Sequence, residues 1–329
     1  MMERVANLSE EERVELFTAA SEYHQLAGPS IEKDFWICWV LQRIFSDDSL
    51  KNILLFKGGT SLSKCFGLIE RFSEDIDLIV DWTLITDEDP YAERSNRQQK
   101  MFNDAMKAKA PEYIRDQLLP EMKRVLSSHC TVTMHPERPG SISLIYSKAF
   151  ESDYVKPHIE LEFGAMSPMQ PKGSYTIQPY CQSTAPQLFD SEGIHVEAIA
   201  ARKTFWDKVS ILHAEAHRPL DKNVPLRYSR HYYDLYQMIH APVCQEAEQD
   251  LKLLQDVVAF KHKFYPQGWA NYQAALEGRF KLLPAEKHIE KLKNDYAQMH
   301  EMIFGTYPDF DDVLASIADF EERLNGLHP

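Results

Sequence analysis

Hydrophobic positions recur at helical spacing over the first fifty residues. Leu8 to Leu26 reads as one helix. A second is expected to begin at a Ser30 cap, with Ile31, Phe35, Trp39 and Ile44 on its apolar face. The period then changes. Asn52 to Phe56 is a short apolar run of the buried-strand kind, and Lys57-Gly58-Gly59-Thr60-Ser61 is a turn. Leu62 to Leu68 opens a helix, and Ile76 to Val80 is a second strand. Residues 83–128 are polar and helical in pattern, with Arg94, Arg97, Lys100, Lys107 and Lys109 among acids; they read as an inserted helical segment. Short strands follow at Thr131 to Met134, Ser141 to Tyr146, His158 to Phe163 and Tyr175 to Gln178. Glu197 to Ala216 is a helix, and from Arg227 onward the pattern is helical. These elements predict an α+β chain: an N-terminal helix over 1–28, a small mixed sheet flanked by helices over 29–220, and a helical C-terminal lobe over 221–329.

Composition narrows the classes. The chain has 329 residues, 44% hydrophobic and 26% charged, the mix of a globular protein large enough for two lobes. No apolar run approaches the roughly 20 residues of a membrane span. The N-terminal stretch is acidic and lacks the apolar core of a signal peptide, so a cytoplasmic protein is expected. Cys38, Cys65, Cys130, Cys181 and Cys244 are scattered and form no C-x-x-C pair, which argues against a disulfide framework or a cysteine zinc site. The net charge of −14 makes a wide electrostatic grip on nucleic acid unlike this chain. Any such contact must be local.

The chemistry concentrates between Lys57 and Val80. A strand ends in two glycines, which let the backbone turn tightly and approach a ligand. A helix starts there, and its free N–H groups with the Thr60 and Ser61 hydroxyls would cradle phosphate. Asp75 and Asp77 follow on the next strand, where alternation points both side chains the same way. Two carboxylates on one face suit divalent cations, and such sites serve in-line phosphoryl or nucleotidyl transfer. Either motif alone is common on surfaces or in turns; together, about fifteen residues apart between two strands, they are far more specific.

With these residues in place, GGTSL…RFSEDIDL resembles the polymerase-β-type nucleotidyltransferase signature. More closely it resembles the AbiEii/AbiGii toxins of type IV toxin–antitoxin and abortive-infection systems. EKDFW at 32–36, KPHIELEFGA at 156–165, TIQPY at 176–180, RKTFWDKVSILHAE at 202–215 and RYSRHYYDLY at 227–236 extend the resemblance over roughly residues 30–240. It implies a polymerase-β-like core and a third carboxylate on a later strand. There alternation sets His158, Glu160 and Glu162 on one face. Glu162 matches the family's L-E-F-G block; Glu160 is the alternative, as a solvated neighbour. The resemblance also implies catalytic roles for Lys208, next to Asp207, and for Asp234 in Arg230-His231-Tyr232-Tyr233-Asp234-Leu235. Lys208 would meet nucleotide phosphates, and Asp234 would orient it or accept a proton. Asp207 and His231 depart from the Glu and Asp common in relatives.

The expected site is therefore Asp75, Asp77 and Glu162 on Mg²⁺ or Mn²⁺, with Lys208 and Asp234 as further catalytic residues. Lys57, Gly58, Gly59, Thr60, Ser61, Lys64 and Arg71 are expected on the NTP. Plainer roles compete with several of these. Lys64 could be merely solvated, Arg71 could only fix its loop, Asp234 could pair with Arg230, and Lys203 rivals Lys208. His213 and His217 stand at zinc-like i, i+4 spacing, but without the H-E-x-x-H glutamate. Phe205, Trp206, Val209 and Leu212 read as core. The expected activity is NMP transfer from an NTP to an acceptor hydroxyl, plausibly the acceptor end of tRNA. It would serve a phage-defence toxin whose adjacent-gene antitoxin need not bind it stably. Nucleotidylation of a protein hydroxyl, or an inert nucleotide-binding module on the same fold, are the rivals.

Overall fold

Ser9 accepts from the Glu12 N–H while Glu12 accepts from the Ser9 N–H, a reciprocal cap that starts the first long helix. The computed structural model describes residues 2–151, 155–156, 158–189 and 192–327. Met1, Pro157 of the 156–165 block, and His328 and Pro329 of the C-terminal lobe lie outside the described residues. The chain divides into two compact units, Met1–Cys65 with Phe72–Ile199, and Phe66–Arg71 with Ala200–Pro329.

The first unit runs α1 (Glu3–Ala6), α2 (Glu10–His24), α3 (Gly28–Phe45), β1 (Leu54–Lys57), α4 (Gly58–Lys64), β2 (Ile76–Val80), α5 (Asn96–Tyr113), α6 (Leu119–Leu126), β3 (Cys130–Met134), β4 (Ser141–Tyr146), β5 (His158–Gly164), β6 (Lys172–Ile177) and β7 (Ile194–Ile199). Among the described residues these strands form one mixed sheet in the order β3-β4-β5-β2-β1-β7-β6. The pairs β2–β5 and β1–β7 are parallel and the others antiparallel.

Strand alternation sorts the two faces. Leu54, Phe56, Ile76, Leu78, Ile142, Leu144, Ile159 and Leu161 join the main core with Phe35, Trp36 and Trp39 of α3. Each such aromatic, fully buried, contributes roughly 1.5–3 kcal/mol. The opposite face holds a small separate apolar cluster of Leu55, Ile79 and Ile199. The polar residues Lys57, Asp77, Glu160 and Glu162 share that face.

Four local expectations change. The helix expected over Leu62 to Leu68 spans Gly58–Lys64, so Gly58 to Ser61 form its first turn. The helix expected from a Ser30 cap starts earlier: its N-cap is Ala27, Pro29 lies in the first turn, and Ser30 is buried. Proline there gives up an N–H that has no helical partner anyway. α3 is not amphipathic either; from Ile31 to Leu41 every residue is buried. The helix expected from Glu197 starts instead at Ala201, because Ile194-His-Val-Glu-Ala-Ile199 alternates and forms β7.

The second unit is helical apart from an isolated antiparallel bridge between Arg71 and Ile303. Its helices are α7 (Ala201–Ala216), α8 (Ser229–Ile239), α9 (Pro242–Glu248), α10 (Leu251–Phe264), α11 (Tyr272–Leu276), α12 (Glu286–Gln298) and α13 (Phe310–Gly326). α8 packs against α7, α12 and α13. Phe205 and Trp206 are fully buried, and Phe205 meets Phe320 edge-on at 5.4 Å. They are core, as their spacing suggests.

Candidate active site

In the first unit the register builds a polar row across three strands. Lys57 on β1 pairs with Asp77 on β2, and Asp77 pairs with Glu162 on β5. Residues paired across strands point to the same face, and neighbouring strands lie about 4.8 Å apart. The row is therefore a cation and two carboxylates side by side. Asp75 lies one residue ahead of β2. Glu160 stands two residues before Glu162 on the same face.

The glycine turn is fitted to this row. Gly58 has φ +82°, which side chains rarely adopt, and a Cβ there would lie 1.9 Å from Asp77 Oδ2. The Asp77 carboxylate thus rests against the turn's backbone. Thr60 Oγ1 donates to the Asp75 carbonyl at 2.5 Å, and Ser61 Oγ to the Gly58 carbonyl at 2.9 Å. Both residues are buried; Thr60 ties the turn to the D-x-D segment, and Ser61 closes the turn on itself. The Lys57 ammonium lies 3.0 Å from where a Gly164 Cβ would stand, so the glycine of the L-E-F-G block leaves room for it.

Crowded carboxylates raise one another's proton affinity. Burial, then Glu160, Glu74 and Asp77, push the Asp75 carboxyl above its ordinary range, with Lys33 opposing. Burial, then Asp77 and Asp75, push Glu162 up, with Arg138 opposing. Glu160 is not a solvated neighbour: it is 2% exposed, and both its oxygens lie against the Arg138 guanidinium. Arg138 reaches both glutamates, at 2.6 Å to Glu160 and 2.7 Å to Glu162.

Three consecutive buried charges on α3 hold the segments around this row. Glu32 accepts from the Ala149 and Phe150 N–H groups. Lys33 donates to Glu74 at 2.8 Å, directly before Asp75, and to the Lys156 carbonyl. Asp34 pairs with Lys64 at 2.7 Å and accepts from the Tyr180 N–H. Successive helix positions point about 100° apart, so one triplet pins three segments. The Lys64 side chain is 6% exposed, with its ammonium also 3.9 Å over the Tyr180 ring. Glu32, Lys33 and Asp34 stand in the EKDFW block, but the sequence reading gave them no place in the site. The available signal was charge inside a helix apolar on every side, where burial requires a partner.

The second unit holds the other expected residues as one buried ionic cluster. Arg71 binds Asp234 in a two-pronged pair, Nε to Oδ1 at 2.7 Å and Nη2 to Oδ2 at 2.9 Å. Lys208 donates to Asp234 at 2.6 Å and lies 3.0 Å from His231 Nδ1. Asp234 is thus held by Arg71 and Lys208, where a helical pair with Arg230 was the plain alternative. Burial opposes its charge, but the two cations hold its carboxyl well below the usual range. Burial lowers Lys208, and burial followed by the Lys208 charge lowers His231. Lys203 pairs with Asp207 at 2.7 Å. His213 has both ring nitrogens engaged, by the Asn271 carbonyl and the Lys281 N–H. That leaves it no lone pair for zinc.

The family description "Nucleotidyl transferase AbiEii toxin, Type IV TA system" matches residues 39–316. The chain belongs to this family. It is accordingly a nucleotidyltransferase, and its family is that of toxins in toxin–antitoxin systems. Among solved structures it is similar to MenT4, a nucleotidyltransferase toxin from Mycobacterium tuberculosis H37Rv, at 14% identity and TM-score 0.47 over 98% of each chain. It is also similar to a protein from H. pylori described as a nucleotidyltransferase, at 13% identity and TM-score 0.41 over 92% of this chain and 96% of that one. No curated protein matches. Among the described residues, no helix is long and apolar enough to cross a membrane.

An AbiEii-type enzyme implies an NTP and, usually, a divalent metal ion. The donor set here fits such an ion: Asp75, Asp77, Glu160 and Glu162 are hard oxygen donors, and burial with neighbouring carboxylates raises the proton affinity of two of them. Among the described residues, no three such side chains already converge as a metal cage. Two of the four are drawn to Arg138.

Proposed function

We propose that the chain transfers a nucleoside monophosphate from an NTP to an acceptor hydroxyl of RNA, at the acceptor end of tRNA. It acts in the cytoplasm as the toxin of a toxin–antitoxin pair active in phage defence. The Lys57–Asp77–Glu162 row beside the Gly58 turn carries this reading. In the reaction the acceptor oxygen bonds to the α-phosphorus, the bond to the bridging oxygen breaks, and pyrophosphate leaves. The acceptor proton passes to a carboxylate of the row.

Asp75, Asp77 and Glu162 would hold Mg²⁺ or Mn²⁺, with Glu160 behind them; the ion supplies charge neutralisation and a more acidic acceptor hydroxyl. Lys57 and the backbone N–H groups of Gly58 to Ser61 receive the triphosphate. The Thr60 and Ser61 hydroxyls hold the turn in shape, and Lys64 anchors it through Asp34. Lys208 and Asp234 stay in the catalytic set on the strength of the family blocks. Arg71 keeps Asp234 ionised and in place. The antitoxin need not form a stable complex.

Purified protein incubated with each labelled NTP, Mg²⁺ and either total RNA or lysate protein tests this. Label entering RNA, and lost in Asp77→Asn, is the expected result. Label entering protein instead would redirect the reading to protein nucleotidylation. No transfer to either, with NTP still bound, would overturn it.

A further inference from the structure

Arg138 lies outside every motif discussed above, yet it touches two carboxylates of the site. Its Nη1 donates to Glu162 at 2.7 Å, and its Nη2 lies 2.6 and 2.5 Å from the two oxygens of Glu160. The two partners differ. Glu160 is buried, whereas the Glu162 side chain is 40% exposed.

The loop carrying Arg138 is built to hold it there. His135-Pro-Glu-Arg-Pro-Gly140 joins β3 to β4. The His135 N–H donates to the Ser141 carbonyl, and the Ser141 N–H donates to the Arg138 carbonyl. His135 Nδ1 accepts from both the Glu137 and Arg138 N–H groups, at 3.1 and 3.0 Å. The ring proton therefore sits on Nε2, which faces Glu160 at 3.4 Å. Gly140 has φ +91°, and a Cβ there would touch Ile114 at 3.5 Å. Two prolines, a ring-capped turn and a left-handed glycine give this loop little freedom.

We propose that Arg138 is a resident counter-cation of the active site. It neutralises the carboxylate cluster while no metal is bound, and a divalent ion displaces it from Glu162 but not from buried Glu160. Arg138 is thus a positioning residue that sets metal affinity. Four carboxylates this close need positive charge to stay ionised together. A guanidinium and a metal ion cannot both hold the same exposed oxygens of Glu162. This inference rests on the metal reading of the row.

The test is Mn²⁺ binding to the full-length protein, read by the electron paramagnetic resonance signal of free Mn²⁺. Wild type, Asp77→Asn and Arg138→Gln are compared. Removing a positive charge beside the site tightens Mn²⁺ binding by about tenfold in Arg138→Gln. The same variant loses thermal stability in chelator and regains it with Mn²⁺. Equal or weaker binding in Arg138→Gln overturns the inference. If wild type binds no more Mn²⁺ than Asp77→Asn, the metal reading itself fails and this inference with it. If Arg138→Gln does not fold, arginine side-chain NMR of the wild type decides. Mn²⁺ replaced by diamagnetic Mg²⁺ must shift the Arg138 Nε–H resonance in wild type and leave it in place in Asp77→Asn; no shift in wild type overturns the inference.

Discussion

Two charged clusters, one in each unit, are built in opposite ways. In the first, Asp75, Asp77, Glu160 and Glu162 crowd together, and burial, then their mutual repulsion, raises proton affinity at Asp75 and Glu162. In the second, Asp234 is buried between Arg71 and Lys208 and held firmly ionised. The first cluster is short of positive charge and stores unfavourable energy that a cationic ligand would relieve. The second is satisfied by its own side chains. The contrast separates carboxylates crowded among themselves from a carboxylate already paired on both sides.

The largest effect expected from breaking this contrast is in the second unit. Asp234→Ala leaves Arg71 and Lys208 buried without their shared anion, at a cost of about 3–5 kcal/mol. Denaturant titration should show that loss. A cost under about 1 kcal/mol would mean the cluster is more solvated than its burial indicates.

Acid comes next, and its sign differs between the units. Burial holds His213 down at about 4. Its folded form resists protonation, so its contribution is complete above pH 6.5 and is lost as pH falls towards 4. The loss reaches about 3 kcal/mol, at 1.36 kcal/mol per pKa unit. Asp234, also depressed, loses its contribution at still lower pH. The raised Asp75 and Glu162 carboxyls act the other way: protonation relieves their repulsion, so acid eases the first unit until the pH nears their unfolded values. Hydrogen exchange between pH 7 and 4.5 should show protection falling in α7 before it falls in β2 and β5. His213→Gln should flatten the first trend.

Gly58→Ala is a smaller change in stability, about 1–3 kcal/mol, because it forces a side chain to positive φ and against the Asp77 carboxylate. Nucleotidyl transfer should drop with it, since the displaced group is Asp77. Asp77→Asn should have the smallest stability effect and the reverse sign. It removes one of four like charges and raises stability by up to about 1 kcal/mol in the absence of metal. Transfer should nevertheless fall by about 10²–10³-fold or more. A destabilised Asp77→Asn would mean the row is a structural ion pair after all.

Much of the first cluster was legible in the sequence because its signals are local. A strand ending in Gly58-Gly59, the D-x-D at 75–77 and the alternation of His158 to Phe163 all follow from periods of two residues or from one turn. What depends on contacts distant in sequence was not legible. Arg138 carries no local mark, because its partners lie 22 and 24 residues away across a sheet. The same holds for the pairing of Lys33 with Glu74 and of Arg71 with Asp234: the motifs marked these residues' segments but not which side chains meet. β7 was hidden differently: its alternating Ile194 to Ile199 runs straight into Ala201 of α7, with no turn residue to mark the change of period. Glu160 and Glu162 are indistinguishable by alternation, and only the packing around β5 separates them.

The six residues Phe66–Arg71 lie between the glycine turn and the D-x-D in sequence, yet they belong to the second unit. Glu70 accepts from the Phe304 N–H through its carbonyl and from the Thr306 N–H through its carboxylate, while Arg71 bridges to Ile303 and grips Asp234. The second unit is thus non-contiguous along the polypeptide. A gene fragment encoding only residues 200–329 would lack a strand partner for Ile303 and the main counter-ion of Asp234. Conversely, a proteolytic nick between residues 199 and 200 would leave two pieces still clasped by this loop. The stretch between the glycines and the D-x-D therefore belongs in part to a unit formed by the other end of the chain, and its spacing is constrained there: lengthening it from 66 to 71 would disturb the contacts with Ile303, Phe304 and Asp234.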